Sequence, residues 1–378
     1  MTWLLCSLLA GTPLFAGAAG VATQPSATQP ARVSLHARGE AAAEVLKRFS
    51  EQAGALLPLS PPDLLTKEPP APVTIDADGQ PFWAVLETFG KKTGLEPVFS
   101  TEDPYPRFQL GQGGGSFWAE PHVVAGPVVL FATDVVRTNT VELRREKHRF
   151  DREITLNLTA FAEPGMKLLW ASPDVTLKFA TDEQGQSLVP PPDGASEQGP
   201  EGGPAGNVFT WDLVVALNSA PKASRSIARL VGQTVVRCQT DAQRVEVEDV
   251  MKARNVVRRV AGVPFTFYSL KKADIEYVLR VGLRREKKGD REWMDLRHSI
   301  YNGQFVLLDD KGRQVAGRGT ENGGEYGNNA IDATLRFIRE PGLTDPQAGE
   351  PYRLVWLAPT ASKDIPVEFE FRNLPIPE

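Results

Sequence analysis

The sequence predicts a multidomain chain: a small α+β unit made of two strand–helix repeats, followed by two mainly antiparallel β-sandwich domains. Three observations predict this. Residues 33–54 and 73–94 are two copies of one pattern, identical at seven of 22 ungapped positions. From residue 118 onward, apolar residues recur with period two, the spacing of half-buried strands. A chain of 378 residues, 41% hydrophobic and 24% charged, also exceeds one ordinary core, and its 33 glycines and 31 prolines call for many turns.

Each repeat reads as strand, turn and helix. Val33-Ser34-Leu35 and Val73-Thr74-Ile75 alternate as strands do, and Gly39 and Gly79 follow as turn residues. Ala42, Val45, Leu46, Phe49 and Ala53 then fall at helical spacing, as do Phe82, Val85, Leu86 and Phe89. Pro81 stands where a helix begins, a position whose N–H has no helical partner. Gly54 and Gly94 are placed to end the helices in the left-handed conformation. Short strands are expected at Leu56–Leu59 and Leu95–Phe99. Neither copy buries its apolar face alone, so the two should pack together.

This tandem pattern, V-[ST]-[LI]-x-A-x-G followed by V-L-x-x-F and a closing glycine, resembles the short N-terminal domain shared by secretins and TonB-dependent receptors. The resemblance covers residues 32–100. It implies a compact pair of strand–helix units in the bacterial envelope and a role in docking periplasmic partners. The rest of the sequence lacks the succession of ten-residue amphipathic strands that a membrane barrel requires. Docking, rather than transport, is therefore the role the resemblance implies. The ending Val-Glu-Phe-Glu-Phe-Arg-Asn-Leu-Pro-Ile-Pro is similar to the C-termini of bacterial exported β-sandwich proteins with no assigned function.

The flanks divide as follows. Residues 1–22 read as a signal peptide: a short apolar run to Phe15, then small residues with Ala16-x-Ala18 in the small-x-small form. Cleavage there leaves Cys238 as the single cysteine, too few for an internal disulfide, and its strand context makes it a small buried side chain. Residues 23–31 are a polar linker and residues 101–117 a Gly/Pro linker. Residues 118–240 form the first expected sandwich, with Ile154, Leu156, Leu158 and Leu213, Val215, Leu217 facing inward and a mobile loop at 190–206. Residues 241–378 form the second. Its inward sets are Ile275, Tyr277, Leu279, Val281 and Leu283; Ile331, Ala333, Leu335 and Phe337; and Val367, Phe369 and Phe371.

Motifs for chemistry are scarce. The four histidines (His36, His122, His148 and His298) show no metal-pair spacing. Asp76-Ala77-Asp78-Gly79 starts like a calcium loop, but its glycine comes too early and repeats the turn residue Gly39. Gly113-Gly114-Gly115-Ser116 lacks the flanking pattern of a nucleophile elbow. Asp309-Asp310-Lys311-Gly312 reads as a hairpin loop rather than an acid/base pair. The tryptophans, among them Trp83, Trp170, Trp211 and Trp356, read as core. The sequence thus names no catalytic set, no cofactor site and no metal site.

Net charge is only -5, so charge matters locally. Residues 252–297 hold 13 Lys or Arg against six Asp or Glu. At the centre of this stretch, Arg284, Arg285, Lys287 and Lys288 are the candidate contact for an anionic partner; the plainer reading is a solvated hairpin tip. Leu143-Arg144-Arg145-Glu146-Lys147 is an analogous run. The expectation is an exported, periplasmic or envelope-associated, non-enzymatic scaffold or adaptor that docks a protein partner through its N-terminal unit. It has no nucleic-acid partner and no transmembrane span in the mature chain. The alternatives are a carbohydrate- or cell-wall-binding protein using a sandwich face and, more weakly, a hydrolase with loop carboxylates.

Overall fold

The computed structural model describes residues 31–55, 57–61, 63–67, 69–98, 109–112, 117–142, 149–190, 210–218, 224–274, 276–285, 291–301, 304–316, 320–327, 329–339 and 347–377. The leader, Lys287, Lys288, His148, Gly113–Ser116, Leu143–Lys147, and all of the 190–206 loop after Pro190 lie outside them. The N-terminal unit comprises β1 (Arg32–Glu40), α1 (Ala42–Ala53), β2 (Leu59–Ser60), the one-turn α2 (Leu64–Lys67), β3 (Val73–Pro81), α3 (Phe82–Thr93), β4 (Leu95–Val98) and β5 (Gln109–Gln112). Then follow β6 (His122–Ala125), β7 (Val128–Glu142), β8 (Arg149–Ala162), β9 (Leu168–Ala171), β10 (Thr176–Asp182), β11 (Thr210–Leu217) and the 23-residue β12 (Ser226–Glu248). The last part holds β13 (Val256–Val260), β14 (Val263–Ala273), β15 (Glu276–Arg284), α4 (Arg291–Tyr301), β16 (Phe305–Leu308), β17 (Gln314–Ala316), β18 (Thr320–Gly327), β19 (Ala330–Ile338) and β20 (Arg353–Pro375). The architecture is mostly antiparallel β, as the sequence predicts.

The duplication folds as a pseudo-two-fold pair. β1 and β3 run antiparallel with His36 opposite Asp76, the very residues that align between the copies. Their side chains meet at 2.6 Å. The other contacts come in matched pairs about this point. Gly79 N–H donates to Ser34 Oγ (2.9 Å), and Gly39 N–H donates to Thr74 Oγ1 (3.0 Å). Gly39 and Gly79 are therefore bulge residues inside strands, not chain-reversing turns: φ is 65° at one and 56° at the other, and the pairing register shifts beside each. The helices close as expected. Gly54 N–H donates to Glu51 O and Ala55 N–H to Ser50 O, the two bonds of a Schellman ending, while Gly94 N–H donates to Gly90 O. Pro81 ends β3 and is the capping residue just before α3, one position earlier than the sequence reading placed it.

One difference breaks this symmetry. Trp83 on α3 is fully buried, whereas its counterpart Ala43 on α1 is exposed. Trp83 Nε1 donates to Pro127 O (3.2 Å), and Val129, Phe131 and Phe161 of the next sheet join the N-terminal core. Gly90, on α3, lets its neighbours approach the helix closely: an added Cβ would lie 2.5 Å from Leu95 O and 3.1 Å from Trp118 Nε1. The N-terminal unit is thus docked on the four-stranded sheet β11-β8-β7-β6 by the buried side of α3, while α1 meets the following β8–β9 turn only at its C-terminal end, where a Cβ added at Gly165 would lie 3.3 Å from Ala53 O.

That sheet serves two cores. Its other face, with Leu156, Leu158, Ala160, Leu213 and Val215, packs on Ile227, Leu230, Val236, Cys238, Val367, Phe369 and Phe371. The last seven belong to β12 and β20, which pair from Ser226↔Pro375 to Glu248↔Arg353. Both strands then continue into the second sandwich. There Val245, Val247, Leu354 and Trp356 face Phe265, Leu279, Val281 and Leu335 of the five-stranded sheet β13-β14-β15-β19-β18, with Trp293, Leu296 and Ile300 of α4. The division at 240/241 read from the sequence falls inside β12, and Ile365–Ile376 pack in the first sandwich rather than the second. At that point Thr240 and Thr360 are each an extra, unpaired residue. Burial in β12 switches there from even to odd positions, as a one-residue bulge requires.

Gly39 and Gly79 give a direct test, because nothing lies within 4 Å of a Cβ added at either one. Their substitution should carry a conformational cost alone, about 1–2 kcal/mol each for Gly→Ala, with Gly→Asn recovering part of it. Urea unfolding of G39A, G79A, G39N and G79N checks this; equal stability of the Ala variants and wild type would contradict the bulge assignment.

Candidate functional site

Alternation in β15 turns Tyr277, Leu279, Val281 and Leu283 inward and leaves Glu276, Val278, Arg280, Gly282 and Arg284 on the outer face of the C-terminal sheet. Gly282 is the key to that face. Tyr268, at a register shift in β14, lies over it, so a Cβ at position 282 would be 2.6 Å from the Tyr268 hydroxyl and 2.8 Å from Asp332 Oδ1. Asp332 is directly opposite Gly282 on β19. The phenol donates to Asp332 Oδ1 at 2.7 Å, Arg284 Nη2 reaches Asp332 Oδ2 at 3.5 Å, and the Arg280 guanidinium carbon is 6.0 Å from the Tyr268 ring centroid. Burial, then the bond to Asp332, pushes the Tyr268 hydroxyl above the usual phenol range, with Arg284 opposing. An aromatic ring covering a strand glycine cross-links three strands, and two arginines lie beside it. The Arg284 side chain stays 64% exposed and holds its carboxylate loosely, which leaves its charge available to an anion.

Two of the four candidate contact residues, Arg284 and Arg285, are among the described residues. Arg284 faces outward with Arg280, while the neighbouring Arg285 turns the other way, as adjacent strand residues do. The Arg285 guanidinium carbon is 5.8 Å from the ring centroid of the buried Trp293, and its N–H donates to Asn329 O. Lys287 and Lys288 lie outside the described residues. The sequence reading missed Tyr268, Arg280, Gly282 and Asp332. The available signal was a lone glycine at an outward position of a well-formed strand.

A second polar cluster lies where α4 crosses the β12–β20 pair. Arg237 binds Asp364 (2.7 Å) and Asp295 (3.5 Å), Arg291 binds Asp364 (2.9 Å) and Ser362 (3.2 Å), and Ser362 Oγ donates to Asp295. Arg237 also lies over Trp170, 5.5 Å from the ring centroid. Two arginines meet two carboxylates, so the cluster balances its charge and ties helix to sheet. The Ser362 proton goes to a carboxylate rather than to an imidazole, which is not the arrangement of an activated nucleophile. His298, on the same helix, is buried. Its imidazole is pushed down to about 4 by burial, then by Arg297 and Arg237.

Other groups take structural positions. Glu163 is buried where the N-terminal unit meets the first sandwich, and its Oε2 accepts the Ala31 N–H at 2.9 Å. Burial pushes its carboxyl up to about 7, against that bond and Arg32. Asp309 sits in the β16–β17 hairpin loop. Burial would raise its carboxyl, but Gly349 N–H, Arg313 N–H, the Arg313 guanidinium and Lys311 N–H outweigh that and hold it well below the usual range. Cys238 is buried in β12, with its thiol pushed up to about 12 by burial and then Asp364. His36 is exposed beside Asp76, and His122 contacts Glu87 at 3.5 Å. Among the described residues, no group of three or more His, Cys, Asp or Glu is arranged to hold a metal ion, and no helix is long and apolar enough to cross a membrane. In comparisons with known proteins, no family model, no curated protein and no solved structure matches the chain.

Glu163 and His298 predict opposite pH slopes. Folded Glu163 keeps its proton between 4.5 and about 7 while the unfolded chain loses it, so its contribution falls as pH rises through that window. Folded His298 stays neutral between 6.5 and about 4 while the unfolded chain gains a proton, so its contribution falls as pH drops through that window. Glu163→Gln should gain on wild type at pH 8, by up to about 3 kcal/mol, and match it near pH 4. His298→Gln should match wild type above pH 7, gain on it progressively between pH 6 and pH 4, and keep that gain below pH 4. Denaturant unfolding across that pH range checks both, and parallel pH profiles for wild type and variants would contradict the assignments.

Proposed function

We propose that this protein is an exported, non-enzymatic scaffold or adaptor of the bacterial envelope that docks a protein partner through its N-terminal duplicated unit. The observation that carries this is the broken symmetry of that unit. One helix, α3, is committed to the chain's own sandwich through Trp83 and Gly90. The equivalent helix, α1, leaves Ala43, Glu44, Lys47 and Glu51 exposed. A fold that uses one helix for docking and holds its symmetric counterpart open has the form of a connector. The resemblance to the secretin and TonB-receptor short domain, and the signal-like leader, support the compartment.

A second reading rests on the Tyr268–Gly282–Asp332 cluster: an anionic cell-wall polymer held by Arg280 and Arg284. The fixed ring and exposed guanidinium support it, through charge complementarity. Among the residues whose side chains are described, Phe179 and Tyr352 are the exposed aromatics, and they stand on different segments rather than in a row of stacking rings for a neutral sugar.

A photoreactive side chain at Lys47 of the full chain, expressed in a bacterial envelope, should give a discrete protein adduct that the same group at Thr155 on the sandwich does not give. Identical patterns at both positions would overturn the adaptor reading. For the second reading, Arg280→Ser with Arg284→Ser should weaken co-sedimentation with anionic wall polymer and flatten its salt dependence; unchanged binding would remove it.

A further inference from the structure

We propose that β11 is a strand-addition edge at which two copies of this chain pair antiparallel about a two-fold axis. An unpaired strand edge offers a row of N–H and C=O groups, and proteins usually blunt such edges with shortness, charge, glycine, proline or bulges. The other sheet edges here carry those devices. β6 has four residues and β17 three. β13 has five, including Arg258 and Arg259. β18 contains Gly323-Gly324 at a register shift, and β10 has two register shifts and Lys178.

β11 has a single charge, Asp212, and none of the other devices. Its eight residues, Thr-Trp-Asp-Leu-Val-Val-Ala-Leu, contain no Lys, Arg, Gly or Pro and pair with β8 without a register shift. It ends the order β11-β8-β7-β6, and among the described residues no strand lies on its outer side. Just past it, Asn218 N–H donates to Leu188 O at 2.8 Å, so the open stretch is Thr210–Leu217. Val214 at its centre is 59% exposed, more than any other large apolar side chain among the described residues.

The sequence of β11 is complementary to itself. Antiparallel pairing centred on Val214 sets Val214 against Val214, Leu213 against Val215 and Trp211 against Leu217, so inward residues meet inward residues. Asp212, the sole charge, meets Ala216 and already accepts a bond from Thr159 Oγ1. A shift of one residue would put inward side chains opposite outward ones and is excluded. The near-neutral edge carries no charge pattern that would select a foreign strand, whereas a second copy supplies the same inward face and extends the sheet to eight strands.

Sedimentation velocity on the full chain tests this. Wild type should be a dimer in the micromolar range. Val214→Lys should raise the dimer dissociation constant by about tenfold or more, because two like charges then face each other on the axis. Val214→Asp should do the same, and mixing the two variants should restore a heterodimer. Val136→Lys, an exposed position on β7 away from the edge, should leave the dimer intact. A monomeric wild type would overturn the proposal and mean that this edge takes another strand, or none. A Val214→Lys dimer as tight as wild type, or a mixture that stays monomeric, would overturn it equally.

Discussion

The pairing of β12 with β20 is the constraint on which the rest of the molecule depends. The two strands run together from Ser226↔Pro375 to Glu248↔Arg353, and each contributes to both sandwich cores, with its longer part in the first. Thr240 and Thr360 supply one extra residue apiece at the crossing, so each strand changes the parity of its buried positions while the pairing resumes in register. The ion-pair cluster of Arg237, Asp364, Asp295 and Arg291 lies at this crossing and fastens α4 to it. Since the partners are more than a hundred residues apart, neither core closes until the C-terminal strand arrives, the kind of non-local topology that folds slowly.

At the other end, the N-terminal duplication shows how a symmetric fold acquires a direction. His36 and Asp76 sit on the pseudo-two-fold axis, and the reciprocal Ser34–Gly79 and Thr74–Gly39 bonds flank it. Trp83 and Gly90 stand where the first copy has Ala43 and Ser50, and those two differences give α3 a second buried face against Pro127, Phe131 and Phe161. α3 holds the unit to the sandwich through its buried Trp83, whereas α1 touches the sandwich only at its C-terminal end and keeps its outer face exposed. The proposed connector role rests on that asymmetry.

Much of this was legible locally. The repeat, its capping glycines and the alternating strands depend on residues close in sequence, so Gly54, Gly94, Leu156, Leu279 and Leu335 sit where their spacing puts them. What was not legible depends on partners far along the chain. Nothing near Thr240 shows that its strand continues into a second core, because the matching bulge is at Thr360. The strand around Leu279 was legible, but that Arg285, just past its end, turns toward Trp293 of α4 depends on a helix that packs there only in the fold. Tyr268, Gly282 and Asp332 come from three strands and form a unit only through pairing register. Gly39 and Gly79 were found, but their role as bulges appears only once β1 faces β3.

If the β12–β20 pair makes the two sandwiches one folding unit, damage to one core must be felt in the other. Leu335→Ala, a cavity at a fully buried site of the second core, should cost about 2–5 kcal/mol. Amide hydrogen exchange in β8 of the first sandwich, read at Ile154–Ala162 in this variant, is the direct measurement. The slowest β8 amides should lose protection by the same free energy as those of β15 and β19. Unchanged protection in β8, with loss confined to the second sandwich, would contradict it.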